Sequence, residues 1–149
     1  MKLEDAHLTL EAILAYDNDA PFSRDPDGDY VLHYAGAQFY ARIIGEPWPV
    51  VQIFSVVAAD LGAIPELLAY INYRCADTPL VKVIHVGNQV LVESEFRAES
   101  LSYLLFQNSC QLVARYSDEI GTDLIELFQG TPRWQNGKRP NYKFGFIPE

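Results

Sequence analysis

Residues 80–96, LVKVIHVGNQVLVESEF, constrain this chain more than any other stretch. Two β-branched runs, LVKVIHV and QVLVESEF, flank Gly87-Asn88. Both of these residues tolerate positive φ, as a two-residue hairpin turn requires, so the runs must pair as antiparallel neighbours. In the second run Val90, Val92, Ser94 and Phe96 share one face, while Gln89, Leu91, Glu93 and Glu95 share the other. The second set is mostly polar, which predicts a sheet with one core face and one wet face.

A two-stranded hairpin is marginal alone and needs partner strands. The stretch DYVLHY (Asp29 to Tyr34) is short and apolar. AQFYARII (Ala37 to Ile44) alternates Phe39, Ala41 and Ile43 against Gln38, Tyr40 and Arg42, the period of a half-buried strand. Ala35-Gly36 supplies the turn between them, and VVQIFSVVA (Val50 to Ala58) is continuous enough for a central strand. Short connections make these three an antiparallel meander.

Helical spacing marks three further segments. Leu3, Leu10, Ile13 and Leu14 predict a helix over Glu4 to Tyr16. AIPELLAYINYRCAD carries a stripe of Ile64, Leu67, Leu68, Ile71 and Cys75, with Pro65 and Glu66 suited to its first turn. A third helix is expected from near Glu99 to about Phe128, with Leu101, Leu104, Leu105, Leu112, Val113 and Tyr116 on its apolar side. A break is expected near Gly121 and an end at Gly130. The order α-βββ-α-ββ-α predicts an α+β fold, an antiparallel five-stranded sheet with the helices packed on one face.

Length and charge then bound the function. The 149 residues suit one domain and can bury a core without staples. The net charge is −9, which argues against nucleic acid and against an anionic membrane, since both select a basic footprint. It suits a basic or amphipathic protein partner. No apolar run approaches the ~18 residues of a span, and the start MKLEDAHLTLEAIL shows no cleavage site, so a cytoplasmic location is expected. Cys75 and Cys110 lie in helical segments and read as small core residues in a reducing compartment. Residues 131–149 carry four basic side chains against Glu149 alone, a net +3 that leaves −12 on residues 1–130. This division separates an acidic body, 1–130, from a basic aromatic tail, 131–149. The tail is expected to pack on the body or on a partner subunit, guided by the charge contrast.

Catalytic patterns are missing. The chain has no GxSxG elbow, no glycine-rich phosphate loop, no CxxC and no HExxH. Cys75 and His85 are the best nucleophile–base pair on offer, but Cys75 belongs to a buried stripe where thiols are inert. His85 shares a strand face with Val81 and Val83 and reads as a satisfied or edge histidine. His7 and His33 carry no partner signal. Glu93 and Glu95 share a strand face and are expected to be solvated there. The stretch DNDAPFSRDPDGD (Asp17 to Asp29) holds five aspartates, yet neither frame closes as a calcium loop. A start at Asp25 places Asp25, Asp27 and Asp29 well but puts Tyr30 at the required glycine and Gly36 at the required glutamate. A turn at Pro26-Asp27-Gly28 is expected instead. No catalytic residue, metal or cofactor is assigned.

Surface residues remain as binding candidates: Tyr40, Arg42, Trp48 in the turn EPWP, Tyr70, Tyr73 and Trp134. Aromatics and arginine are the types enriched at interfaces, although a tyrosine can also simply cover a core edge with its hydroxyl in water.

The segments DGDYVLHYAGAQFYARI and VVQIFSVVAADLGAIPELLAYINYRCADTPLVKVIHVGNQVLVESEF together resemble the YbjN family, which is similar to the type III secretion chaperones of the CesT class. The likeness rests on the meander, the PELLAYIN helix, the hairpin and the long last helix, and spans roughly Tyr30 to Phe128. It implies a secretion-chaperone-like α+β fold that binds a protein or peptide client without catalysis. Homodimers are common among the secretion relatives, so a homodimer is expected. The family supplies no active-site residues. The tail lies outside the pattern. The expected function is a non-enzymatic protein- or peptide-binding domain of chaperone or adaptor type, holding its client by strand addition or by a helix in a groove. A small-molecule or signal sensor and an acidic immunity or inhibitor protein are the alternatives.

Overall fold

The computed structural model describes residues 1–17, 22–34 and 37–133. The Ala35-Gly36 turn and everything from Trp134 onward, with the expectations placed on them, lie outside the described residues. Three α-helices, α1 (Leu3–Asp17), α2 (Pro65–Asp77) and α3 (Tyr103–Phe128), accompany seven strands. The strands are β1 (Ser23–Arg24), β2 (Tyr30–Tyr34), β3 (Ala37–Ile44), β4 (Val50–Ala59), β5 (Lys82–Val86), β6 (Gln89–Arg97) and β7 (Thr131–Pro132). They form one sheet in the order β1-β2-β3-β4-β6-β5, with β7 paired to β4, and every pairing is antiparallel. The α+β class and the five expected strands are present. The two additional strands, β1 and β7, are two residues each, too short to carry a period-two pattern.

Gly87 and Asn88 both adopt positive φ, 53° and 60°, which turns β5 into β6 without distorting either. Leu61 N–H then donates to Asn88 O at 3.0 Å, tying the segment before α2 to the hairpin tip. Phe39, Ala41, Val51, Ile53, Val90 and Val92 line the inner face of the sheet, all at most 1% exposed. From α3, Phe106, Val113, Ile120 and Leu124 close over β4 and β6, while Leu10 and Leu14 of α1 cover β3. Each large side chain so buried contributes about 1.5–3 kcal/mol.

The helices depart from expectation in particular ways. α3 runs unbroken through Gly121. A Cβ there would sit 3.3 Å from Val57 O, so the glycine lets the helix approach the central strand instead of ending it. Glu99 lies in a separate 3₁₀ turn, Ala98–Ser100. α3 starts after Ser102, whose hydroxyl accepts from Leu105 N–H at 3.1 Å, an N-cap. At the other end Gln129 takes φ 57° and Gly130 N–H returns to Leu124 O, as in a Schellman closure. Leu104 is 65% exposed because Phe106, not Leu104, faces the sheet. On α2 only Leu67 and Ile71 are buried. Ile64 and Leu68 stay open because α2 packs on the edge strand β5, not across the sheet centre.

Candidate functional site

All three helices lie on the inner side of the sheet. The outer face therefore carries no second layer among the described residues. Strand register assembles it row by row. One row runs Val31, Tyr40, Phe54, Glu93, Lys82; a second runs Arg42, Gln52, Glu95; a third runs Val56, Leu91, Ile84. Val31, Tyr40, Phe54, Val56, Ile84 and Leu91 are all half-buried, so apolar and aromatic surface faces solvent across five strands. Tyr40 stacks on Phe54, with ring centroids 5.3 Å apart and planes 21° apart. The strand register makes these side chains neighbours, from Val31 through Tyr40 and Phe54 to Val56, Leu91 and Ile84.

Arg42 is held more tightly than a free contact residue. Its Nε and Nη2 donate to Asp29 Oδ1 and Oδ2, each at 2.7 Å, and its guanidinium lies 5.0 Å over the Phe54 ring. Asp29 is only 4% exposed. The arginine thus neutralises a buried carboxylate and braces the aromatic pair. The same geometry accounts for the aspartate turn. Asp25, Asp27 and Asp29 bring carboxylate oxygens within 4.8 Å of one another. Both oxygens of Asp29 serve Arg42, and Asp25 Oδ1 accepts from Asp29 N–H. Gly28 N–H closes on Asp25 O at 2.9 Å, so these groups build the expected turn.

Glu93 departs from the solvated reading: it is 9% exposed, although it sits on the outer face. Phe54 and Lys82 flank it in its row and shield it. Burial, then a hydrogen bond shared with Glu95, push its carboxyl up to about 7. Burial works the same way on Glu95, but bonds from Glu93, Lys82 and Gln52 outweigh it and hold that carboxyl low. Lys82 Nζ is 2.6 Å and Gln52 Nε2 2.8 Å from Glu95 Oε1. A carboxyl pair sharing one proton can do acid–base work. Here the pair lies on an open face, and the amine of its row neighbour Lys82 is held protonated by its bond to Glu95, which leaves it no nucleophilic lone pair.

The other candidates separate. Trp48 is 64% exposed at the end of the sheet, with Arg97 stacked 5.1 Å above its ring. Tyr73 is 65% exposed on α2. Tyr70 is structural: its hydroxyl donates to Asp123 at 2.7 Å and its ring meets Phe128 at 5.6 Å, joining α2 to α3. Burial and the carboxylate raise its pKa well above the usual range. Tyr70→Phe is expected to lower stability by about 1 kcal/mol, read as a shift in urea midpoint at unchanged slope; no shift would discount the bond. Trp134 lies outside the described residues. Tyr40 and Arg42 are brought together on the outer face, both against the Phe54 ring.

Sequence reasoning missed Phe54, Val56, Leu91 and Ile84, although the alternation of their strands placed each opposite a core residue. His7 has a partner that sequence did not signal. Tyr30 Oη donates to Glu11 at 2.8 Å and so accepts from His7 Nδ1 at 2.7 Å. His85 is satisfied by Leu61 O at 2.6 Å, and Cys110 is buried while Cys75 is half-buried.

The described residues thus form an α+β sheet with helices on one face and an open apolar and charged face on the other. The chain belongs to the family described as T3SS (YopN, CesT) and YbjN peptide-binding chaperone 1, whose model matches residues 4–136. Comparison with curated protein sequences returns no match. Among solved structures, a chain of the ExsC–ExsE complex is similar at TM-score 0.62 and 15% identity, over 82% of this chain and 96% of that one. A chain of the HopA1–SchA chaperone–effector complex follows at TM-score 0.57 and 8% identity, over 76% and 90%. YbjN from E. coli follows at TM-score 0.51 and 15% identity, over 83% and 93%. At these identities the likeness carries the fold.

Proposed function

We propose that the outer sheet face holds a protein or peptide client, in a cytoplasmic and homodimeric chaperone without catalytic activity. The observation that carries this is the half-exposed apolar set around Tyr40 and Phe54, which no helix of the described residues covers, in a chain of a peptide-binding chaperone family. The ExsC–ExsE and chaperone–effector complexes among the structural neighbours support a client as the ligand. No helix of the described residues is long and apolar enough to cross a membrane, in keeping with the location proposed. β5 ends the sheet and offers a place where an extended client segment adds as a strand.

The test is capture from lysate of the source organism by the full chain, with identification by mass spectrometry and titration of the specific partner. Phe54→Ala combined with Val56→Ala trims the face without adding charge. It is expected to weaken that partner about tenfold or more while the circular-dichroism melt keeps its cooperativity. Equal affinity for parent and variant would place the client elsewhere. Sedimentation of the parent checks the dimer.

A further inference from the structure

We propose that residues 134–149 of this same chain dock on the outer sheet face and occupy it until a client displaces them. The docking stands on the fold; the competition rests on the client reading above. β7 delivers the segment to the rim of that face. Thr131 and Pro132 pair with Ala59 and Ala58 of β4, directly beyond the stretch of β4 that β3 covers. β3 pairs with β4 from Ile44↔Val50 to Tyr40↔Phe54 and begins at Ala37. Its pairing with β4 ends at Tyr40↔Phe54, so no residue of β3 is paired to β4 at Val57. β7 runs along β4 from Ala59 to Ala58, so Arg133, the next residue after Pro132, brings the chain to the level of Val57. The inner side at Val57 is closed by α3, whose Gly121 backbone sits against it. The outer side opens beside Val56 and Leu91.

Composition fits the same place. Residues 134–149 contain Trp134, Tyr142, Phe144 and Phe146 for an apolar patch, and Lys138, Arg139 and Lys143 for the Glu93–Glu95 pair and the Asp25–Asp27 turn. Sixteen extended residues reach about 50 Å, and six strands span about 25 Å, so length does not limit the crossing. The family match stops at residue 136, so most of this segment is an addition to the shared fold.

Trp48→Phe leaves Trp134 as the one tryptophan of the full chain. Its emission is expected to be blue-shifted, with acrylamide quenching several-fold lower than in urea, both independent of protein concentration. Adding Phe54→Ala and Val56→Ala should restore solvent-like emission and quenching. Lys138→Glu with Arg139→Glu, which leaves the described fold untouched, should do the same. Solvent-like emission in the single-tryptophan parent would overturn the proposal, as would protection that survives both sets of changes. Protection that fades on dilution would assign the segment to a second copy and overturn docking within one chain. Lysate capture keeps the two readings apart. A released Trp134 with client still bound at the face sinks the docking alone, and a protected Trp134 with no client sinks the client reading alone.

Discussion

Replacing Arg42 with alanine lowers the unfolding free energy by about 3 kcal/mol, because it strands a buried carboxylate. The side chain of Asp29 is 6% exposed and that of Arg42 42%. Water can reach the arginine if its partner is lost, but it cannot reach the aspartate. The cost is therefore asymmetric: Asp29→Ala is expected to cost about 1 kcal/mol, the net value of the bonds lost. Urea denaturation checks both, through midpoint shifts at unchanged slope. Equal costs, or an Arg42→Ala within 1 kcal/mol of the parent, would show that the pair is solvated and that Arg42 is free to serve a client directly.

Glu93→Gln is expected to abolish a fall in stability between about pH 4.5 and about 7. The ordinary value of this carboxyl is 4.5, and the fold raises it to about 7. A raised value means that the native state holds the proton more tightly than the unfolded chain. The stabilisation is complete below pH 4.5 and is lost as pH rises through the folded value. Glu95 works in the opposite sense: its lowered carboxyl contributes above its ordinary value and fails only in stronger acid. Lys82, Glu95, Arg42 and Gln52 are the charged and polar groups facing Glu93 across its strands. Glutamine reproduces the protonated form and can still donate to Glu95. Above neutral pH the variant should exceed the parent by about 1–2 kcal/mol, or about 3–6 °C in melting temperature. Parallel melting curves from pH 5 to pH 8 would show that Glu93 titrates as a solvated group. The same proton sets the charge at the centre of the proposed client face, so client affinity should change over the same pH window.

Much of the fold was legible because its determinants are local. Gly87-Asn88 selects a turn from its own backbone freedom, and the alternation in β3 and β6 assigns faces from the period of a strand. The helix of residues 65–77 follows from spacing and a proline at its start. Gly121 was misread for the same reason: a glycine inside a helix weakens it locally, and only Val57, 64 residues earlier in the chain, shows that the missing side chain is what lets the helix seat. The candidate site was half legible. Tyr40 and Arg42 fell on the outer face by parity, whereas no local pattern records that Trp48 lies at the end of the sheet and Tyr73 on α2.

The sequence alone determined the α+β class, the antiparallel hairpins, the family and the contrast between acidic body and basic tail, since each depends on residues near one another or on composition. Tertiary structure decided which polar groups are partnered. Asp29 meets Arg42, Tyr70 meets Asp123 across 53 positions, and Glu93 is buried between neighbours from two other strands. Burial and charge pairing are sums over whatever the fold brings within a few ångströms, and no local pattern records those neighbours.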